Sequence, residues 1–186
     1  MKYLRGYPDS LQSQARQLMD QGRLGSMLLG KYTGLHGVRT DKALYDYVMG
    51  LKNSYLRSSG PLSRVAFDSK LHVIAHALGT HTTVSRVQGN KLKSKREIRV
   101  AALFRDLPAG FLKMIAVHEL AHLKETGHDK AFYQLCSHME PDYHALELDL
   151  RLYLTHLDGG GGPLWSAAGA QLTERSLHGS NASACR

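Results

Sequence analysis

Residues 108–132, "PAGFLKMIAVHELAHLKETGHDKAF", constrain this 186-residue chain more tightly than any other stretch. Phe111, Leu112, Ile115, Ala116, Leu120 and Leu123 recur at helical spacing behind a proline suited to a first turn, and Gly127 interrupts the pattern. The same apolar helix carries His118, Glu119 and His122, and His128 follows directly after the glycine. Ionisable side chains are expensive to bury unpaired, so whatever fold this helix enters must also supply them with a partner.

The spacing points to a cation. His118 and His122 lie four apart, which sets their Cβ atoms about 6 Å from each other on one helix face, close enough to reach one ion. Zinc takes imidazole nitrogens at about 2.0–2.1 Å in tetrahedral geometry, and its catalytic sites use three protein ligands with the fourth position left open. His128, past the break at Gly127, can turn back as the third ligand. Glu119 sits about 100° around the helix from His118, beside the ion rather than on it, where a carboxylate serves as general base toward a water molecule. A purely structural zinc is usually closed by four ligands that include cysteine, so three histidines and an adjacent glutamate favour catalysis. His36, His72, His76, His81, His138, His144, His156 and His178 have no such frame and read as surface or core residues.

Around this segment the pattern is α+β: N-terminal helices, a small antiparallel sheet, then the active-site helix and C-terminal helices. Apolar stripes predict helices over residues 10–21 and 41–57, with Gly22 and Gly25 as breaks between them. Short β-rich pieces, "RVAF", "LHVI", "TTVSRV" and "EIRVAALF", fill residues 64–104. Further helices are expected over 129–139 and 142–157. Residues 1–157 read as a single domain, and the Gly-, Ser- and Ala-rich residues 158–186 as a flexible tail.

Composition narrows the setting. No apolar run approaches the roughly 20 residues of a membrane span, and the N-terminus has no apolar core of signal-peptide length. Two cysteines make no disulfide framework, so a cytoplasmic location is expected. Charge is uneven: residues 1–100 hold 17 Lys and Arg against 6 Asp and Glu. Six of those cations crowd residues 86–99, "RVQGNKLKSKREIR", a surface suited to phosphate, nucleic acid or an acidic peptide, or simply to solvent. It has no aromatic side chain on which a base would stack.

"KMIAVHELAHLKETGHDKAFYQLCSHMEPDYHALELDLRLYL", with "ALGTHTTVSRVQGNKLKSKREIRVAALFRDLP" upstream, closely resembles the YgjP-like metallopeptidase family, relatives of the SprT and WLM zinc peptidases. The resemblance covers roughly residues 1–157. It implies a minimal zincin-like α+β fold, His118, His122 and His128 as zinc ligands, and Glu119 as general base. The spacing also fits the metzincin frame His-Glu-x-x-His-x-x-Gly-x-x-His except at Glu125, which weakens that assignment. A family Pro-x-Tyr element corresponds to Pro141 and Tyr143, and the resemblance offers Tyr143 as a catalytic donor to a developing oxyanion. Phe132, the family's aromatic after the third histidine, reads as core packing. Residues 97–104 would pair with an extended peptide substrate.

Three activities follow from the resemblance. The first is a zinc metallopeptidase acting on a peptide or protein. The second is a metal-dependent nucleoside triphosphate (UTP) pyrophosphatase, for which Arg86, Lys91, Lys93, Lys95 and Arg96 would clamp the polyphosphate. The third is a SprT-like peptidase working near nucleic acid. The chain has no phosphate-cradling loop of the full Gly-x-x-x-x-Gly-Lys-Ser/Thr form, so a nucleotide would rely on side-chain cations.

Overall fold

The computed structural model describes residues 1–71, 79–88 and 91–165, with side chains at 1–71 and 96–165. Helix α1 (Asp9–Asp20) ends before Gly22, whose φ of 67° lies in the left-handed region that glycine adopts without penalty. That turn admits a second helix, α2 (Leu24–Lys31), where the sequence predicts a broken connection; Gly25 is helical rather than a break. Helix α3 (Asp41–Tyr55) starts at Thr40, whose hydroxyl accepts from the Ala43 N–H at 3.1 Å. Asp41 Oδ1 accepts from the Phe67 N–H at 3.0 Å and so ties the start of α3 to a strand.

Strands β1 (Leu62–Asp68), β2 (Gly79–Gln88) and β3 (Lys91–Ala101) form one sheet in the order β1-β3-β2. The expected antiparallel sheet is therefore corrected: β2 and β3 pair antiparallel, from Gly79↔Val100 to Gln88↔Lys91, but β1 and β3 run parallel, from Leu62↔Arg96 to Asp68↔Ala101. Side-chain alternation tells which face of a strand is buried, and not which edge of a hairpin docks on its neighbour. Here the hairpin docks through its second strand, whose Ile98 and Val100 are fully buried. The "LHVI" piece falls outside the described residues except for Leu71, which is not in a strand.

A short 3-10 turn (Ala102–Asp106) leads from β3 into helix α4 (Ala109–Ala121), followed by α5 (Lys130–Met139) and α6 (Tyr143–Asp158). The chain gathers into two compact units: one of residues 37–105 and 110–150, the other of 1–36, 106–109 and the chain from 151. In the first, α3 packs on β1, and the core joins Leu44 and Val48, Val65 and Phe67, Ile98 and Val100, Phe111, Ile115, Phe132 and Leu150. In the second, the segment expected to begin a flexible tail at Asp158 is anchored as far as Trp165. Lys2 pairs with Asp158, and Trp165, 6% exposed, donates its indole N–H to the Tyr32 carbonyl at 2.8 Å against the Tyr32 and Tyr153 rings. The remainder of that tail, residues 166–186, lies outside the described residues. Among the described residues no helix is long and apolar enough to cross a membrane.

Replacing Asp41 by alanine removes the acceptor of the part-buried Phe67 N–H, and leaving such a donor unmet costs about 1–3 kcal/mol. Urea unfolding of Asp41→Ala should show a loss in that range with an unchanged m-value; a midpoint equal to wild type would contradict the tie between α3 and β1.

Candidate metal centre

Helix α4 is apolar on every side, and from Phe111 to Ala121 each residue except Lys113 is buried. A helix of this kind belongs in a core, and it carries its polar residues there with it. His118 is 6% exposed and Glu119 only 1%. The helical assignment closes at Ala121, but Leu123, Lys124 and Glu125 donate back to Leu120 and Ala121, so His122 stands on a continuing, tightened turn. Asp129 then caps α5, its carboxylate accepting from the Phe132 N–H at 3.0 Å, which places His128 immediately before a fixed helix start.

The three histidines meet as their spacing predicts. His128 Nε2 lies 3.2 Å from His118 Nε2 and 3.1 Å from His122 Nε2. Nitrogens bound at about 2.0–2.1 Å at the corners of a tetrahedron would be about 3.3 Å apart, which the two separations from His128 match, and all three ligand nitrogens lie within 4.8 Å of one another. The proton inventory agrees. His122 Nδ1 is 3.0 Å from the Glu125 carbonyl, which can only accept, so a neutral His122 carries its proton on Nδ1 and presents a bare Nε2. Burial, first, and the neighbouring His128 lower the His122 pKa and favour that neutral form, against the Glu125 hydrogen bond. His128 Nε2 has at most one hydrogen and two nitrogens to face, so a cation between the three is the arrangement that leaves no lone pairs opposed. The cluster fits a divalent metal ion.

Glu119 completes the test. Its Oε2 is buried and has no hydrogen-bond partner among the described residues, and burial alone pushes its carboxyl up to about 8 in the metal-free protein. A carboxylate held dry beside three converging imidazoles has its natural counter-charge in a metal. Phe132, fully buried, sets its ring 4.6–5.0 Å from all three imidazoles and packs them, as the sequence predicts.

Tyr143, offered by the resemblance as an oxyanion donor, contacts His118. It is fully buried, and its hydroxyl is 2.7 Å from His118 Nδ1, the ring nitrogen turned away from the cluster. Burial, with Glu147 nearby, holds its phenol far above the ordinary range, so the hydroxyl stays protonated. Sequence reasoning also misses a brace ahead of it. Lys113 Nζ pairs with Glu140 Oε2 at 2.8 Å, and Glu140 Oε1 accepts from the Asp142 N–H at 3.1 Å, tying α4 to the start of α6. Lys113 and Glu140 lie 27 positions apart, and no local pattern links them.

The basic candidates lie on the β2–β3 hairpin. Arg86 stands opposite Lys93, Lys91 opposite Gln88 and Lys95 opposite Val84 in the strand register, and these side chains are outside the described set. Arg96 is part-buried, with its guanidinium beside Gly60.

The raised Glu119 pKa has a pH signature. An unfolded glutamate ionises near 4.5 and this one near 8, so in EDTA the folded state loses stability as pH rises through that window and levels off above it. Subtracting the profile of Glu119→Gln, which has no such proton, isolates the effect from the histidines. The two metal-free proteins should diverge by a few kcal/mol in favour of the variant between pH 5 and 8; parallel profiles would contradict a dry, unpaired carboxyl.

Comparison with known proteins follows the same lines. The sequence pattern of a family described as YgjP-like, metallopeptidase domain matches residues 67–153, which include all three histidines and Glu119. The chain is also 58% identical over 160 residues to a protein of Escherichia coli (strain K12) named UTP pyrophosphatase, covering 86% of this chain and 96% of that one. No solved structure matches it. The histidine cluster thus sits inside the matched region of a chain that belongs to the YgjP-like family.

Proposed function

We propose that this chain is a zinc-dependent hydrolase that cleaves a nucleoside triphosphate, UTP foremost, to the monophosphate and pyrophosphate. The observation that carries the chemistry is the convergence of three imidazoles, His128 Nε2 lying 3.1–3.2 Å from the other two Nε2 atoms, with Glu119 Oε2 buried and without a hydrogen-bond partner among the described residues. The substrate rests on the relative's name and high identity over nearly its whole length, together with the 17 cations of the first hundred residues.

His118, His122 and His128 would hold the ion; a ligand set of imidazoles alone suits zinc. Bound there, zinc supplies Lewis-acid polarisation of a phosphoryl oxygen and lowers the pKa of water to near 7. Glu119 takes a proton from the attacking water as its oxygen bonds to the α-phosphorus. The bond from that phosphorus to the bridging oxygen breaks, and Glu119 can return the proton to the departing pyrophosphate. Arg86, Lys91, Lys93, Lys95 and Arg96 would balance the polyphosphate charge in the cytoplasm.

Peptide hydrolysis is the second reading, favoured by the metallopeptidase description of the matched family. The strand expected to receive an extended peptide, residues 97–104, offers it little edge: from Glu97 to Val100 β3 is paired on both sides, and residues 102–106 turn into a 3-10 helix. A peptide would have to pair elsewhere, on the outer edge of β1 or β2.

Assays on UTP and on an unstructured protein separate the readings. UTP turnover should vanish with chelator and fall by about 10²–10⁴-fold in Glu119→Gln, with zinc retained in the variant; protein cleavage without UTP turnover would transfer the conclusion to the peptidase. Reversing Lys93 and Lys95 to glutamate should raise KM for UTP about tenfold or more with kcat near wild type. An unchanged KM would remove the hairpin from nucleotide binding.

A further inference from the structure

Tyr143 lies behind the metal centre, and the proposed chemistry leaves it unused. It is fully buried at the start of α6, its hydroxyl 2.7 Å from His118 Nδ1, with the two rings inclined by only 12°. Near-parallel rings at this contact place the hydroxyl oxygen close to the imidazole plane, along the direction in which an Nδ1–H bond would point. We propose that Tyr143 is a positioning residue that keeps His118 in its Nδ1–H tautomer, so that the Nε2 lone pair faces the metal; this rests on the metal-centre reading above.

A neutral imidazole has one proton for two nitrogens, and a proton on Nε2 blocks ligation. When the Tyr143 hydroxyl turns an oxygen lone pair toward His118, the Nδ1–H tautomer is the one that can donate to it. His122 is set differently, by the Glu125 carbonyl, which can only accept. Two ligands one turn apart are therefore oriented by an obligatory acceptor and by a hydroxyl that could also donate. In the metal-free protein His118 can exchange tautomers against that hydroxyl, whereas the loaded protein needs it as acceptor. The Lys113–Glu140–Asp142 brace and the Tyr143 N–H bond to the Glu140 carbonyl at 3.0 Å hold the residue where His118 meets it.

The test is zinc affinity by chelator competition for wild type and Tyr143→Phe, with urea unfolding of both in EDTA. Removing an outer acceptor of a metal-ligating histidine costs about 10–100-fold in affinity. Tyr143→Phe should lose that much, while its metal-free stability falls by a clearly smaller factor in the folding equilibrium, because His118 can then carry its proton on Nε2. Equal zinc affinity, or parallel losses of affinity and metal-free stability, would overturn the role. Nitrogen-15 NMR of the histidines in zinc-loaded wild type decides without a variant: a protonated His118 Nδ1 supports the proposal, and an unprotonated one defeats it. Absence of zinc binding in wild type would fell the metal-centre reading itself, a result distinct from a wild type that binds and a Tyr143→Phe that binds as well.

Discussion

The burial of α4 is the constraint on which the rest of the site depends. A helix apolar all round leaves no exposed face, so His118 and Glu119 enter the core with it. An ionised carboxylate there is stable only opposite a positive charge, and the described surroundings offer Oε2 none from the protein. The three imidazoles that converge beside it are built to hold one. Burial thus explains both why the cluster suits a divalent metal and why Glu119 binds protons more tightly than a surface glutamate.

Support for this centre comes from several elements of one compact unit. α4 supplies His118 and Glu119, the turn after it His122, and the capped entry to α5 His128, while Phe132 fills the space behind all three rings. α6 begins at Tyr143, which touches the far nitrogen of His118, and its start is tied back to α4 through Lys113 and Glu140. The outer contacts of the ligands are as specific as the cluster, and that is what keeps imidazoles from turning away from an ion.

The cluster was legible in the sequence because its rule is local: residues four apart share a helix face, and a glycine just beyond allows a return. Three things were not. Strand alternation in residues 62–101 records which side is buried but not that β3 would insert between β1 and β2, so the parallel pairing was hidden. Tyr143 could be picked out from a family motif, but its contact with His118 joins residues 25 apart and depends on how α6 docks. The glycine run after Asp158 suggested mobility, yet Trp165 finds an acceptor at Tyr32 that composition cannot reveal.

X-ray absorption at the zinc edge of the purified, zinc-loaded protein tests the central claim most directly, since it sees the ligand shell whatever the substrate proves to be. The account predicts one zinc per chain with three imidazole nitrogens and one further light-atom ligand at about 2.0–2.1 Å. A sulfur ligand, a fourth imidazole or substoichiometric metal would contradict it.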